Sequence, residues 1–433
     1  MKHRSLLGPS IFALAVTSIL ALSPDAEACG GCVVPPDTST QVTGHRMILA
    51  TSKTQTTLYD QIEYSGAPES FAWFLPIHGE VQIGLSADAL FAQLSDLTQV
   101  VVLPPPLPCV SSGRGVALAA EDSSGGGTVY VPPDEQVNVI ASETVGPYET
   151  VQLSASTPGA LTGWLGDHGY AIPADVLPVI EAYQKEGFDF LAMKLVPGEG
   201  VNSMRPVRVT TPGGGLALPL RMVAAGTGAV TPVLLHVIAE GRYEVANRPN
   251  LRVPEGLLLW NWDEGLSNYR QLREGMFGDA GSDAWLTESA LPMYVEGFEA
   301  TVLNRVKASP AESGWGDPDN GVSAEEDAQA DLDALFAGMK LDDVWFTRMY
   351  AKLSRGALGE DLVLQASAGQ TAVYPSLMAK VGIGTPPPCP PGTTLLGACA
   401  IEAGERDGAA LFAAATGLVA ALSFARRRRS RRG

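Results

Sequence analysis

Short runs of apolar and β-branched residues, separated by glycine and proline turns, dominate the first 245 residues. The segments 45–52, 56–64 and 71–77 are of this kind, and a turn signal, Ser65 to Pro68, separates the last two. Such runs bounded by Gly and Pro are typical of strands. With 47 glycines and 32 prolines, the chain is too rich in turn residues for a helical bundle. We therefore predict an α+β fold with a β-rich body, mainly antiparallel strands and a few packed helices.

Further strands are expected at 136–154, with a turn at Gly146, and in the four segments 188–196, 205–211, 216–224 and 231–245. We expect those four to form a meander of sequence neighbours. The predicted helices are 86–97 with Ser86 as N-cap, 173–187 ending at Gly187, 323–339 with a capping box from Ser323 to Glu326, and a short helix at 347–355.

The N-terminus has the order of a secretory signal. Basic Lys2 and Arg4 precede an apolar stretch at 11–22, and the small-x-small triplet Ala26 to Ala28 follows. We predict cleavage between Ala28 and Cys29, which makes the protein an exported one. Lipidation of Cys29 is the alternative, and Glu27 disfavours it.

The C-terminus carries a second targeting segment. Residues 409–424 are uncharged and are followed by the basic cluster Arg426, Arg427, Arg428 and Arg429. As a helix the stretch would span roughly 25 Å, a little less than a hydrocarbon core. We predict a transmembrane helix with its C-terminus on the cytoplasmic side. The tail resembles the sorting tails of myxobacterial surface proteins, which implies that it is cut off during surface display.

These features divide the chain into four parts. They are a signal peptide (1–28), an exported body (29–384), a Pro-rich linker (385–408) and the tail (409–433). Within the body, about 103–134 is an irregular insertion, and about 261–350 is an acidic part that contains several tryptophans. The predicted location is the cell envelope or cell surface.

The charge of the chain limits its partners. The formal net charge is −18, and eight of the basic residues lie in the two terminal segments, so the body is more acidic still. This excludes nucleic acid as a partner and disfavours anionic membrane surfaces. The predicted contact is with the membrane, through the C-terminal helix. The sequence does not identify a protein or small-molecule partner.

Five cysteines are present, namely Cys29, Cys32, Cys109, Cys389 and Cys399. The Cys29–Cys32 pair lacks the preceding strand and following helix of a redox site, and no second tight pair completes a zinc site. In an oxidising compartment disulfides are the default. Cys29, Cys32, Cys109 and Cys389 are therefore the disulfide candidates, with their pairing left open.

Catalytic signatures are absent. The sequence has no Gly-x-Ser-x-Gly elbow, no His-Glu-x-x-His helix and no phosphate-binding loop. The body histidines, His45, His78, His168 and His236, are far apart in sequence. We therefore predict no cofactor and no metal site, and catalytic residues stay unknown.

One acidic stretch has some likeness to a calcium loop. Asp317 and Asp319 fit positions 1 and 3 of an EF-hand, but Gly321 falls one position early. A solvated acidic loop is the favoured interpretation.

The order of motifs resembles a known bacterial family. The run from Ala28 to Cys32 is followed by HRMILATSKTQTTLYDQIEYSGAPESFAWFLPI, VGPYETVQLSAS, WLGDHGYAIP, FDFLAMKLV, RPVRVTTP and LALPLRMVAAG. This pattern, over most of residues 28–245, resembles the family called domain of unknown function 2330. The resemblance implies an exported envelope protein and carries over no catalytic residue. We expect a membrane-tethered binding or structural module; the alternative is an extracytoplasmic hydrolase that uses His78 or His168.

Overall fold

The computed structural model describes residues 32–33, 41–65, 72–107, 109–110, 138–154, 159–168, 176–196, 204–224, 229–279, 281–318, 320–388 and 394–395. The strands within these ranges, in chain order, are β1 Cys32–Val33, β2 Gln41–Thr51, β3 Gln55–Ser65, β4 Ala72–Ile77, β5 Gln82–Leu85, β6 Val101–Leu103, β7 Cys109–Val110, β8 Asn138–Val145, β9 Tyr148–Ser154, β10 Asp189–Leu195, β11 Val207–Pro212, β12 Ala217–Leu218, β13 Val230–Glu240, β14 Tyr243–Val245, β15 Asn250–Leu251, β16 Leu259–Asn261, β17 Leu266–Ser267, β18 Trp285–Pro292, β19 Val344–Ser354, β20 Leu362–Ala366, β21 Ser376–Met378, β22 Val381–Ile383 and β23 Thr394–Leu395.

The α-helices are α1 Asp88–Thr98, α2 Ala160–Asp167, α3 Leu177–Lys185, α4 Leu220–Val223, α5 Tyr269–Phe277, α6 Val295–Ala308 and α7 Ala324–Phe336. Short 3-10 turns lie at Glu255–Leu257, Pro310–Glu312, Leu341–Asp343 and Ala357–Gly359.

Two sheets form the centre of the molecule. The larger has eight strands in the order β15-β18-β19-β13-β2-β3-β11-β5, and the smaller has five in the order β1-β4-β10-β9-β8. Side chains alternate between the faces of a strand. Leu235 of β13, Met47 of β2 and Trp73 of β4 therefore meet in the core between the sheets.

Helices cover both outer faces. On the larger sheet, Ile48 and Phe346 pack with Leu90 of α1, Phe298 of α6 and Leu332 of α7. On the smaller sheet, α2 and α3 cover the opposite face of β4, β9 and β10. The result is a four-layer arrangement of helices, sheet, sheet and helices, in which each sheet buries both faces.

Three small sheets lie beside these layers within the described residues. They have the orders β12-β20-β14, β17-β16-β22 and β21-β6, and a further short pair joins β23 to β7. The last pair brings Leu395 opposite Cys109, so the chain that leaves the body runs alongside the segment that follows β6.

The predicted α+β, mainly antiparallel fold is confirmed. The predicted meander is wrong. β10 lies in the smaller sheet, β11 pairs with β3 and β5, and β13 pairs with β2 and β19. Segments close in sequence are separated because each must bury its own apolar face, and these faces belong to different layers.

The segment 347–355 was also predicted wrongly. It is not a short helix but most of β19, a central strand of 11 residues that pairs with β13 and β18. Met349, Tyr350 and Ala351 form a continuous apolar run, which is consistent with a strand buried on both faces. The segment 216–224 is divided, since only Ala217–Leu218 is strand and a short helix follows.

Helix ends are partly as expected. Ser323 and Glu326 form the capping box of α7, and Gly187 after α3 has a positive φ of 86°. Ser86 does not cap α1, whose N-cap is Ala87; its hydroxyl instead donates to Asp331 Oδ2 at 2.5 Å. Among the described residues, no helix is long and apolar enough to cross a bilayer. The predicted signal and tail lie outside them.

Candidate functional site

A buried histidine–aspartate pair lies between the two sheets. His45 of β2 and Asp60 of β3 are diagonal neighbours in the β2–β3 hairpin, because Met47 is the residue opposite Asp60. His45 Nδ1 and Asp60 Oδ1 are 2.8 Å apart, and the side chains are 0% and 3% exposed. The pairing of β2 with β3 therefore brings the two side chains together on one face of the sheet.

Burial governs the charge of this pair. Desolvation lowers the pKa of His45 and raises the pKa of Asp60. Both shifts favour the uncharged form of each group. Within the described ranges, His45 Nε2 has no hydrogen-bond partner. The carboxyl of Asp60 therefore orients the His45 ring, and the second ring nitrogen is buried.

Asp60 is the one polar side chain among those that line a small pocket. The other walls come from β2, β3, β4 and the region of α4, and the pocket has room for about one water molecule. Its lining is Met47, Leu58, Asp60, Trp73, Phe74, Leu75, Leu218, Pro219, Met222 and Val223. As it stands, this space can hold one ordered water or one small hydrogen-bonding group.

His78 and His168, which the sequence suggested for a hydrolase, lie elsewhere. The exposed His78 ring stacks on Phe188 with centroids 3.9 Å apart. His168 stacks on Trp164 at 3.7 Å, and its Nδ1 is 2.7 Å from the carbonyl oxygen of that residue. Neither makes a hydrogen bond to a carboxylate in the described part of the chain. The structure does not bring them together.

His236 faces the helices on the other side of the larger sheet. Its Nε2 is 3.0 Å from Thr98 Oγ1. The Thr98 hydroxyl donates to the carbonyl of Leu94, so it accepts from the ring. Burial lowers the pKa of His236, and the charges of Arg348 and Arg46 lower it further.

A charged network surrounds the β-bulge of β18. The buried Glu288 carboxylate accepts from Arg348 Nε at 2.7 Å, from the Tyr269 hydroxyl at 3.0 Å and from Arg273 Nη1 at 3.4 Å. The register of β18 against β19 shifts between Thr287 and Ser289. These bonds attach α5 to the larger sheet and satisfy the buried charge, which is a structural role.

The disulfide candidates are only partly within reach of the structure. Cys32 and Cys109 lie in strands whose backbone pairing is described, Cys32 opposite Trp73 and Cys109 opposite Leu395. Cys29 and Cys389, the cleavage site after Ala28 and the cluster Arg426–Arg429 lie outside the described residues. The disulfide, cleavage and membrane predictions therefore stay predictions.

The acidic stretch after Trp315 forms a tight turn. Asp317 exchanges both backbone hydrogen bonds with Val322 and accepts from the side chain of Asn320; Asp319 lies outside the described residues. No group of three or more metal-ligating side chains is present in the described ranges.

One surface feature was missed at the sequence level. In the small sheet β17-β16-β22, the register places Leu266, Asn261 and Ile383 in one row, with Val381 two residues along. Paired side chains point to the same face of a sheet. Leu266, Val381 and Ile383 are 64%, 51% and 39% exposed, so this face is open to solvent.

The sheet β21-β6, whose strand β21 precedes β22 in the chain, also exposes apolar side chains. Met378 pairs with Leu103, and Val101 lies two residues before Leu103; their exposed fractions are 49%, 43% and 48%. Only Ala379 and Lys380 separate β21 from β22. We name these six residues the C-terminal apolar surface: Val101, Leu103, Leu266, Met378, Val381 and Ile383.

Neither site is evident from local sequence. His45 and Asp60 fall on two strands that were expected, but the turn between them has no glycine to fix the register. The six exposed apolar residues come from three stretches of chain that contribute four strands of two or three residues each. The sequence feature that could have indicated the apolar surface is the group of apolar residues just before the TPPPCPP linker.

Comparison with known proteins gives one match. A family model described as an uncharacterized protein conserved in bacteria, DUF2330, matches residues 23–354. No curated protein and no solved structure matches the chain.

Proposed function

The chain belongs to the uncharacterized bacterial family DUF2330, and from this premise we propose that it is an exported cell-envelope protein. In this proposal it is held at the membrane by its C-terminal segment and acts as a binding module. The observation that carries the proposal is the C-terminal apolar surface.

The position of this surface supports a role in binding. Of the side chains that are large, apolar and exposed in the described ranges, most lie in or beside the two small sheets. Scattered single apolar residues are normal on a protein surface, whereas clustered ones mark interaction sites. These side chains are not part of the hydrophobic core, so their exposure does not stabilise the fold.

The path of the chain supports the tether. After β22 the chain passes through Pro386 to Pro388 and pairs again at Thr394–Leu395 with β7. Residue 409, where the uncharged segment begins, is 14 residues beyond Leu395. The sequence distance from this pairing to the proposed anchor is therefore short.

Fractionation of cells that express the full chain tests the tether. We expect the protein in the envelope fraction, released by detergent and not by high salt or carbonate. A variant that lacks residues 409–433 should appear in the soluble exported fraction. N-terminal sequencing should begin at Cys29. Release of the full chain by salt alone would contradict the proposal.

A hydrolase is the second candidate, and one observation favours it. His45 is paired with Asp60, which lines the inter-sheet pocket, and a histidine oriented by a carboxyl can act as a proton acceptor. The candidate base is then His45, with Asp60 as its orienting group, rather than His78 or His168.

An esterase assay with p-nitrophenyl acetate and butyrate separates these readings. Activity that His45→Ala and Asp60→Asn abolish, and that His78→Ala and His168→Ala retain, would support the second candidate. Circular dichroism of each variant checks that the fold is intact. Activity that survives in the folded His45→Ala protein would rule this site out.

A further inference from the structure

We infer that the folded body holds Asp60 as a neutral acid beside a neutral His45, and that it keeps this proton at a pH at which the unfolded chain has released it. The pair is thus a proton-binding site in the core, and it stabilises the folded state more in mildly acid than in alkaline surroundings. This inference concerns the folded body alone and holds with or without the proposed tether.

The walls around the pair are apolar. Paired residues of neighbouring strands point to the same face of a sheet. Val233 of β13 lies opposite His45, and Val207 of β11 lies opposite Asp60. From the smaller sheet, Trp73 of β4 lines the pocket that Asp60 borders, and the other side chains of that lining are apolar as well. A single charge on the pair would therefore be a buried charge without a counter-ion, which is strongly unfavourable.

The other titratable groups on elements that pack against this core do not compensate such a charge. Tyr148 of β9 donates its hydroxyl to a backbone carbonyl at 2.8 Å, and a tyrosine is uncharged near neutral pH. Asp189 of β10 lies opposite Ile77, four residues beyond Trp73 in β4. Arg221 of α4 is paired with two carboxylates of its own.

The charged residues of the strands around the pair lie on the outer faces of the two sheets. Because side chains alternate along a strand, Arg46 faces away from the side of His45, and Arg208 of β11 donates to Asp331 under the helices. The others on these outer faces are Lys194, Arg348 and Lys352. Burial is accordingly the one cause that raises the pKa of Asp60 and lowers the pKa of His45.

The hydrogen bonds of the pair favour the neutral form over an ion pair, which would hold the same number of protons. Two charges that are buried together need further hydrogen bonds to replace the water that they lose. In the described ranges the Asp60 carboxyl bonds to His45 alone, and His45 Nε2 has no partner. The carboxylate of Glu288, by comparison, accepts from two arginines and a tyrosine. The proton of the pair therefore stays on Asp60.

Unfolding releases this proton in alkaline solution. In the unfolded chain, an aspartate loses its proton near about pH 3.9 and a histidine near about pH 6.5. Between these values the unfolded chain holds one proton, on His45, and the folded pair holds one, on Asp60, so the pair causes no pH dependence. Above about pH 6.5 only the folded pair retains a proton. Its contribution to stability then falls as the pH rises, until Asp60 ionises in the folded state.

Urea unfolding of the full chain from pH 5 to pH 9 tests the retained proton. Asp60→Asn removes the titrating acid and keeps the size of the side chain. The unfolding equilibrium constant of the wild type, divided by that of Asp60→Asn, should rise about tenfold per pH unit until Asp60 ionises in the folded protein. A ratio that does not change with pH overturns the inference.

Two further variants make the comparison specific. His45→Gln keeps the acid and removes the base, so its unfolding constant should follow that of the wild type above about pH 6.5 and fall below it as the pH decreases. Asp283→Asn changes an exposed carboxylate, and its ratio to the wild type should be independent of pH. A ratio for Asp283→Asn that rises as steeply as that for Asp60→Asn would overturn the inference too.

Infrared spectra of the folded full chain at pH 8 locate the proton without unfolding. A protonated carboxyl absorbs apart from a carboxylate, so the wild type minus Asp60→Asn spectrum should contain a protonated-carboxyl band. If Asp60→Asn does not fold, His45→Gln takes its place, since a changed partner should shift the band. A wild-type spectrum without such a band at pH 8 overturns the inference, whatever the variants do.

Discussion

Buried titratable side chains are the most informative residues of this protein. His236 is buried. Its Nε2 donates to Thr98, and its Nδ1 has no hydrogen-bond partner in the part of the chain that the structure describes. Arg348, its direct neighbour on β19, adds a positive charge that opposes protonation. The ring is consequently neutral in the folded protein, while in the unfolded chain it takes up a proton near its usual pKa of about 6.5.

This difference predicts a pH dependence of stability. Because the folded pKa of His236 is lowered, only the unfolded state gains a proton below about pH 6.5, and stability falls as the pH falls. The contribution is about 1.4 kcal/mol per pH unit below that point. Urea unfolding between pH 7 and 5 should show a shallower slope for His236→Gln. Equal slopes for the wild type and His236→Gln would count against a neutral His236.

At the scale of elements, α7 shows how a helix is fixed by more than its apolar face. Asp331 is fully buried, and it bonds to Arg208 Nη1 at 2.8 Å, to the Ser86 hydroxyl at 2.5 Å and to Trp315 Nε1 at 3.1 Å. These partners come from β11, the start of α1 and the loop before α7. The capping box at Ser323 was visible in the sequence because it is local, whereas the partners of Asp331 lie up to 245 residues away.

Asp331→Asn should therefore destabilise the protein by about 2–4 kcal/mol, because it leaves the largely buried guanidinium of Arg208 without its counter-charge. The matched control is Asp333→Asn on the same helix, where the carboxylate is exposed and accepts only from Gln329. We expect a change of less than about 0.5 kcal/mol for the control. Urea midpoints measure both, and similar losses for the two variants would disprove the role given to Asp331.

Strand pairing marks the limit of what local pattern predicts. The strands β2 and β3 and the turn at Gly146 were predicted correctly, since these are local features of the chain. The partner of β13 was not, because β2 lies nearly 190 residues earlier and pairs with it in parallel. β19 was predicted as a helix for the same reason, since its pairing partners β13 and β18 are distant in the chain.

On the scale of the whole molecule, the larger sheet joins two cores. One core lies between the two sheets and contains Leu235 of β13; the other lies between the larger sheet and its helices and contains Leu332 of α7. The strands β2, β13 and β19 contribute side chains to both cores. A change in either core therefore acts on the same strands.

We predict that Leu235→Ala and Leu332→Ala each lower the free energy of unfolding by about 2–5 kcal/mol, and that both shift a single transition. Circular dichroism and tryptophan fluorescence should give coincident unfolding curves in each variant. Leu257→Ala, which truncates a side chain that is 56% exposed, is the control and should have little effect. Separate transitions for the two probes would show that the layers unfold independently.

The sequence by itself determined the β-rich α+β class, the family, the local turns and the capping box of α7, because each depends on residues that are near one another in the chain. Only the tertiary structure decided which strands pair, that His45 meets Asp60, that Asp331 holds α7, and that the apolar residues of the two small sheets stay exposed. These features depend on which side chains are buried, and burial in turn changes the pKa of a side chain. Burial is a property of the assembled layers rather than of any one segment.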